Sequence, residues 1–297
     1  MCYNTSMDKL PIKQEKTKLT ALLGSPVAHS ISPSMHNEAF KQLGLDYVYH
    51  AFDVNESELE IAVAQLKSVG IRGFNLTMPN KNKIVELVDC LSPAAKLIGA
   101  VNTVVNDNGI LTGYNTDGIG FIQSLKDIDF SIADKEITIL GNGGAAMAII
   151  AQAALDGANK INIFARPQSR FAKRTAKLAH DINQTTNATA NIYDLANTLT
   201  LHKTLQSSSL LINATSVGMT PNADASPIED GTIFHKNLLV ADIIYEPRTT
   251  KLLQIAKQNG CQTCNGMYML LHQGAEAFNL FTGANMPVEL IKTKFFK

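Results

Sequence analysis

Residues 136–158 read EITIL, GNGGAA and MAIIAQAALDGA in succession: a run of buried-type strand formers, a glycine-rich turn and an apolar helix. No other stretch restricts the fold as tightly. The spacing is G-x-G-x-x-A. Gly141 permits the tight turn, Gly143 lets a pyrophosphate approach the backbone, and Ala146 lets the helix pack close to the strand, which leaves the helix-start amides aimed at an anion. A second strand, KINIFA at 160–165, follows directly. Strand, turn, helix and strand together make a dinucleotide-binding unit rather than an isolated glycine motif. An acidic residue at the end of that second strand would accept the ribose hydroxyls of NAD. Here Ala165, Arg166 and Pro167 stand in its place, with Arg170 just beyond. Two guanidinium forks suit a ribose 2′-phosphate, so NADP is the expected cofactor and NAD the alternative. The plain competing reading is a pair of solvated arginines at a helix start.

The same alternation of strand and helix runs along the rest of the chain. Residues 19–23 predict a strand, Ser32 as cap and Pro33 as the first helical residue start a helix that Gly44 ends, and YVYHAFDV predicts the next strand. A helix over 59–69 stops at Gly70, 71–77 is a strand, and AVNTVV and ILTGYN are joined by NDNG as a hairpin. From about Asp117 a second unit begins, with strands near 136–140, 160–165, 209–214 and 238–243 and helices over 169–180 and 249–259. The segment GMYMLLHQGAEAFNLF puts Met267, Leu270, Leu271, Gly274, Ala275 and Phe278 on one helical face. The fold class is therefore α/β, and 297 residues are enough for two domains. The first 16 or so residues are polar and carry no assignment.

Composition excludes several classes of function. With 26 Lys+Arg against 26 Asp+Glu the chain has no net field to favour nucleic acid or an anionic membrane surface. At 45% apolar and 18% charged residues it has enough apolar content to fold. It contains no apolar run of membrane-spanning length and no leader-like start, so a soluble cytoplasmic protein is expected. Cys2, Cys90, Cys261 and Cys264 are too few and too uneven for a disulfide framework. The CQTC pair resembles half a zinc site but lacks a second pair, so these cysteines are expected to be reduced and structural, with no metal. Among the histidines, His29 adjoins a serine-rich loop and could line a site; the others have no metal-ligand spacing. Met267 and Met269 are expected in the core.

A second constellation is polar. In GFNLTMPNK, Asn75 and Thr77 alternate with Phe74 and Leu76 and so share one face of a strand. Pro79 ends that strand and leaves Lys81 near its carboxyl end. Asn102 and Thr103, then Asn115, Thr116 and Asp117, repeat the same residue types. Each alone is an ordinary turn or cap residue. Together they are hydroxyl-binding chemistry around one lysine and one aspartate, although the dyad by itself is also what a plain salt bridge looks like.

With these segments in hand, the chain closely resembles the shikimate dehydrogenase family over about residues 19–295. The matching elements, in family order and spacing, are HSISPSMHN, FNLTMPNK, GAVNTVV, YNTDG, GNGGAA, INATSVGM, YEPRTT and NGMYMLLHQGAEAF. The resemblance implies reversible NADPH-dependent reduction of 3-dehydroshikimate to shikimate, in aromatic amino acid biosynthesis. It also implies a substrate domain over 1–117, completed by C-terminal helices over 266–297, and a Rossmann NADP-binding domain over 118–265. Carried over position by position, Lys81 is the catalytic lysine and Asp117 its partner. Ser30 and Ser32 would hold the substrate carboxylate, Asn75, Thr77, Asn102 and Gln273 would meet the ring and its hydroxyls, and Tyr245 would line the same pocket. The cofactor set becomes Gly141, Asn142, Gly143, Gly144 and Ala145 of the turn, Arg166 and Arg170, and Thr215, Ile243 and Gly266.

Two departures qualify the resemblance. The family's usual Asn-Arg-Thr at the phosphate-binding turn is Ala165-Arg166-Pro167 here. The MPNK, YEPRTT and LLHQGAEAFNLF segments match better a quinate/shikimate branch that also uses NAD, whereas Gln168 and Ser216 depart from that branch. A dual quinate/shikimate enzyme is therefore the second reading, and a catalytically silent nucleotide-sensing module the third. The expected partners are a small polyhydroxy ring acid and, for the chain itself, a monomeric or homodimeric state.

Overall fold

The structure is a computed structural model that describes residues 17–296; Cys2 and most of the polar leading segment lie outside the described residues. The first sheet is built from β1 (Lys18–Gly24), β2 (Tyr47–Asp53), β3 (Gly73–Leu76), β4 (Cys90–Leu91), β5 (Thr103–Asp107) and β6 (Ile110–Tyr114), in the order β2-β1-β3-β5-β6-β4. Helices α1 (Ser32–Gln42), α2 (Leu59–Ser68) and α3 (Pro93–Ile98) connect its strands. The parallel strands β2, β1 and β3 meet the antiparallel β5–β6 hairpin at β3. Asn108 and Gly109 close that hairpin with φ of 54° and 94°, the two left-handed residues a twist-matched two-residue turn demands.

Helix α4 (Asp117–Lys126) leads into the second sheet, which contains β7 (Glu136–Leu140), β8 (Lys160–Ala165), β9 (Thr189–Asp194), β10 (Leu210–Asn213), β11 (Leu239–Asp242) and β12 (Gln262–Cys264). Their order is β12-β11-β10-β7-β8-β9, every pair parallel. This is the doubly wound arrangement of a Rossmann domain, in which the strand order reverses beside β7 and leaves a crevice at the carboxyl ends of β7 and β10. The connecting helices are α5 (Gly144–Leu155), α6 (Ala172–Thr185), α7 (Thr198–Ser207) and α8 (Lys251–Gln258). Parallel strands covered on both faces should be apolar along nearly their whole length, and the ITIL, INIFA and LLIN runs of β7, β8 and β10 are buried accordingly.

Helices α9 (Met267–Thr282) and α10 (Val288–Phe295) return to the first sheet. There Phe278, Phe281 and Ile291 share a core with Leu22, Met35 and Phe40. Helix α9 is buried on more than the one face its sequence stripe marks, because α4 packs along it as well: Met269, His272 and Ala277 are buried too. Contact between the two helices is set at Gly120, where a β-carbon would come within 2.6 Å of the Gln273 amide nitrogen and 2.7 Å of the Met269 carbonyl oxygen. Backbone atoms cannot rotate out of the way. Gly120→Ala is therefore expected to destabilise, since an overpacking cost at the upper end of about 1–3 kcal/mol exceeds the roughly 1 kcal/mol that alanine gains in helix propensity. A melting temperature several degrees lower would register it; an unchanged or higher value would refute the close packing.

The start of α1 corrects one sequence expectation. Ser32 does not cap this helix: Ile31 occupies the cap position with helical angles of φ −76° and ψ −16°, and Ser32 is already inside the first turn. The capping-type contact comes from Ser30, whose Oγ accepts the Ser32 N–H at 3.3 Å. Proline follows at the second helical position, where its missing N–H costs nothing.

Candidate active site

A cavity of about 660 Å³ lies in the crevice, with walls from both sheets. Lys81, on the turn that leaves β3, lines it. Two contacts fix that turn: Val101 N–H donates to the Lys81 carbonyl at 2.8 Å, and the buried Asn80 side chain donates to the Val54 carbonyl at 2.7 Å. Asp117 opens α4, where the helix dipole favours a carboxylate. Lys81 Nζ lies 2.6 Å from Asp117 Oδ2, with the side chains 26% and 15% exposed. The other carboxylate oxygen, Oδ1, accepts Asn102 Nδ2 at 2.8 Å. Asn102 is itself buried and braced, its Oδ1 accepting the Thr116 N–H at 2.8 Å and the Thr103 hydroxyl at 2.9 Å. Both oxygens of Asp117 are thus committed, while Lys81 uses one of its three donors on that ion pair and keeps the remainder for the cavity.

The residues expected around this dyad divide by how free their polar atoms are. Ser30, Ser32, Thr77 and Gln273 line the cavity; Gln273 donates to the Leu270 carbonyl at 3.1 Å and has further capacity. Asn75 also reaches the wall, but its amide is largely spent inside the protein, donating to Thr103 Oγ1 at 2.9 Å and to the Asn102 carbonyl at 3.2 Å. Its Oδ1 accepts the phenol of Tyr49 at 2.8 Å. Tyr49 was not singled out in the sequence. It is 1% exposed, burial raises its phenol out of the titratable range, and His36 stacks on it at 4.4 Å and 15°. Burial likewise pushes His36 down to about 3, so this ring packs as a neutral group. The alternating pattern of YVYHAFDV marks Tyr49 only as inward-facing, which is why its polar role escapes a sequence reading.

On the opposite wall stand Tyr245, Ile243 and Gly266, with Ala145 from the first turn of α5. Met267 and Met269 line the cavity as well, rather than serving only as core. Gly266 N–H donates to the Ile244 carbonyl at 3.1 Å and so ties the start of α9 to the end of β11. Asp242 holds that strand end: its carboxylate, raised above the ordinary range by burial, accepts Ile244 N–H at 3.0 Å and Thr250 Oγ1 at 2.8 Å. Arg248 on this wall, and Phe295 and Phe296 at the C-terminal end, carry no local motif that marks them in the sequence, yet all three border the cavity.

The glycine turn has the shape an anion needs. Gly141 takes φ of +104°, and a β-carbon there would meet the Ala214 carbonyl oxygen at 2.7 Å. Gly143 caps α5, and around both Gly143 and Gly144 the space that a side chain would fill is open to 4 Å. Open space above free helix-start amides fits a pyrophosphate. Asn142 contributes its backbone to this turn, since its side chain donates to Thr175 Oγ1 at 3.1 Å and accepts from Ser169 Oγ at 2.9 Å. It thereby fastens the turn to the loop of Arg166 and Arg170. Both arginines are exposed, and Arg170 lies over the Phe171 ring at 4.7 Å. Thr215, next to Gly141, has its hydroxyl bonded to Asn213 Oδ1 at 2.7 Å. The Cys261 and Cys264 pair sits at β12; burial pushes the Cys264 thiol up to about 11, far from a reactive thiolate. Among the described residues no three His, Cys, Asp or Glu side chains converge as a metal site, and none of the helices is long and apolar enough to cross a membrane.

Comparison with known proteins agrees along nearly the whole chain. The family model described as Shikimate dehydrogenase substrate binding domain matches residues 22–104, and that described as Shikimate 5'-dehydrogenase C-terminal domain matches residues 266–293. The chain is 46% identical over 280 residues to shikimate dehydrogenase (NADP(+)) of Listeria innocua, covering 94% of this chain and 96% of that one. Among solved structures, shikimate 5-dehydrogenase from Listeria monocytogenes in complex with shikimate and NAD superposes with a TM-score of 0.91 at 45% identity, covering 96% and 98% of the two chains. The ligand-free 5-ketofructose reductase of Gluconobacter superposes at 0.82 with 34% identity, covering 94% and 98%.

Proposed function

The chain belongs to the shikimate dehydrogenase family and has its NADP-dependent oxidoreductase activity on shikimate; from that premise we propose that Lys81 and Asp117 carry the proton transfer of this reaction. The observation behind the assignment is the 2.6 Å contact between Lys81 Nζ and Asp117 Oδ2, inside a cavity bordered by hydroxyl-binding side chains on one side and by the helix start of a dinucleotide turn on the other.

NADPH, when bound, supplies the hydride. Gly141, Asn142, Gly143 and Gly144 would hold its pyrophosphate through backbone amides, Arg166 and Arg170 its 2′-phosphate, and Ala145, Thr215, Ile243 and Gly266 would border its reactive end. As the ring ketone of 3-dehydroshikimate is reduced, negative charge develops on its oxygen, and Lys81 gives that oxygen a proton. In the direction of shikimate oxidation Lys81 takes the hydroxyl proton. Asp117, clamped by Asn102, keeps Lys81 aimed and compensates its charge. Thr77, Asn102 and Gln273 orient the ring through its hydroxyls, Asn75 supports Asn102 and Thr103, and Ser30, Ser32 and Tyr245 take the carboxylate end. Orientation of this kind is a large part of catalysis, because it replaces a random encounter by a fixed geometry.

The same proposal divides the chain into a substrate domain over 1–117 with 266–297 and a nucleotide domain over 118–265, in keeping with the membership of the two sheets. It places the enzyme in the cytoplasm as a monomer or homodimer, in keeping with the unpaired Cys90, Cys261 and Cys264. The test is turnover of shikimate and of quinate, each with NADP and with NAD. Shikimate with NADP is expected to give the highest kcat/KM. Faster turnover of quinate would make the chain a quinate-type enzyme. Normal NADPH binding without turnover of either acid would make it a nucleotide sensor.

A further inference from the structure

The cavity has an unbalanced charge. Three fixed charges border it: Lys81, Asp117 and Arg248. The first two cancel one another as an ion pair. Arg248 is exposed, and its guanidinium has no ion-pair or hydrogen-bond partner among the described residues. Its backbone, by contrast, is fixed, because its carbonyl accepts Asn265 Nδ2 at 3.0 Å. The segment around it is held by Asp242 below and by the Thr250 cap of α8 after it. An arginine with a seated backbone and a free fork, three residues from Tyr245, leaves that cleft with one net positive charge on its border.

The substrate is an anion, and the groups expected to meet its carboxylate, Ser30 and Ser32, are uncharged. Hydroxyls alone leave the charge of a carboxylate uncompensated when water is driven from the cleft. We infer that Arg248 is a substrate-binding residue that draws the ring acid into the cleft and neutralises its carboxylate there, setting the preference for an acid over a neutral ring polyol. The inference rests on shikimate being the substrate. Guanidinium geometry fits it, since a planar fork pairs with a carboxylate through two parallel hydrogen bonds. Arg248 follows β11 of the second sheet whereas the serines follow β1 of the first, and all three border the same cavity, so that serines and arginine would reach the carboxylate from different elements.

The experiment compares wild type with Arg248→Gln and Arg248→Lys, using shikimate and its methyl ester, at low and high ionic strength. Arg248→Gln is expected to raise the KM for shikimate roughly 10-fold, as loss of a charge-assisted hydrogen bond implies, with kcat and the KM for NADP nearly unchanged. It should also flatten the rise of KM with salt that screening imposes on the wild type. Against the uncharged methyl ester wild type and Arg248→Gln should perform alike, and Arg248→Lys should recover part of the lost affinity for the acid. If Arg248→Gln left the shikimate KM and its salt dependence untouched in an enzyme that still turns over shikimate, the inference would fail while the activity stood. A rise in the KM for NADP instead would assign Arg248 to the cofactor and overturn it equally. Absence of shikimate turnover in the wild type would remove the premise, not this step alone.

Discussion

Lys81→Ala is expected to lower kcat for shikimate oxidation by ~10²–10⁴, the usual contribution of a positioned general acid or base, while the KM for shikimate stays within about threefold. The asymmetry follows from where the lysine acts. On the proposed assignment the ring is held in the ground state by Ser30, Ser32, Thr77, Asn102 and Gln273, none of which loses its support when Lys81 is shortened. Asp117 would remain bonded to Asn102 Nδ2, so the local frame survives. The interaction that disappears is the one that strengthens as charge builds on the substrate oxygen, and an interaction made mainly in the transition state lowers kcat rather than binding. Steady-state kinetics of the purified variant decide the matter. A kcat within threefold of wild type would show that the proton comes from elsewhere, and an equally large rise in KM would recast Lys81 as a binding residue.

The joint replacement Arg166→Ala and Arg170→Ala should lower kcat/KM for NADP by ~10²–10⁴, with kcat/KM for NAD changed by less than about threefold. Each charge-assisted contact to a phosphate contributes about 1.5–3 kcal/mol, and NAD carries no 2′-phosphate for these side chains to meet. Neither arginine is in an ion pair among the described residues, so their removal strands no carboxylate. The supporting loop also remains anchored, because Asn142 reaches Ser169 and Thr175 rather than the arginines. Ligand titration followed by activity with both cofactors separates the outcomes. Parallel losses with NADP and NAD would mean that the arginines shape the loop; no loss with either would make them ordinary surface charges.

Much of this arrangement is legible in the sequence because it rests on local rules. The glycine turn between strand and helix needs Gly141 where φ is positive and small residues where the helix meets the sheet, and those needs are written in order along the chain. The Asn-Gly hairpin and the Pro-marked start of α1 are legible for the same reason. Short elements escaped: β4 and β12 are two and three residues long, too brief for any period to show, and their strand character comes from the neighbours they pair with. The capping role passed from Ser32 to Ser30 because a one-residue shift in helix start is decided by backbone angles that sequence pattern does not resolve. Tyr49 and Arg248 were missed for a different reason. Each acquires its role from segments distant in sequence, Tyr49 by reaching Asn75 and Arg248 by bordering a cavity whose other wall is formed by the first sheet.

The glycine contact between α4 and α9 bears on how the molecule can move. The chain passes from the first sheet to the second through α4 and comes back into α9, so both crossings run through one tightly packed pair. On the proposed division into two domains, such a pair would act like the two leaves of a hinge fastened to one pin, allowing a swing that widens or narrows the crevice but resisting the sliding of one half past the other. Lys81 and the nucleotide turn, on opposite leaves, would then meet in the same register at every closing stroke.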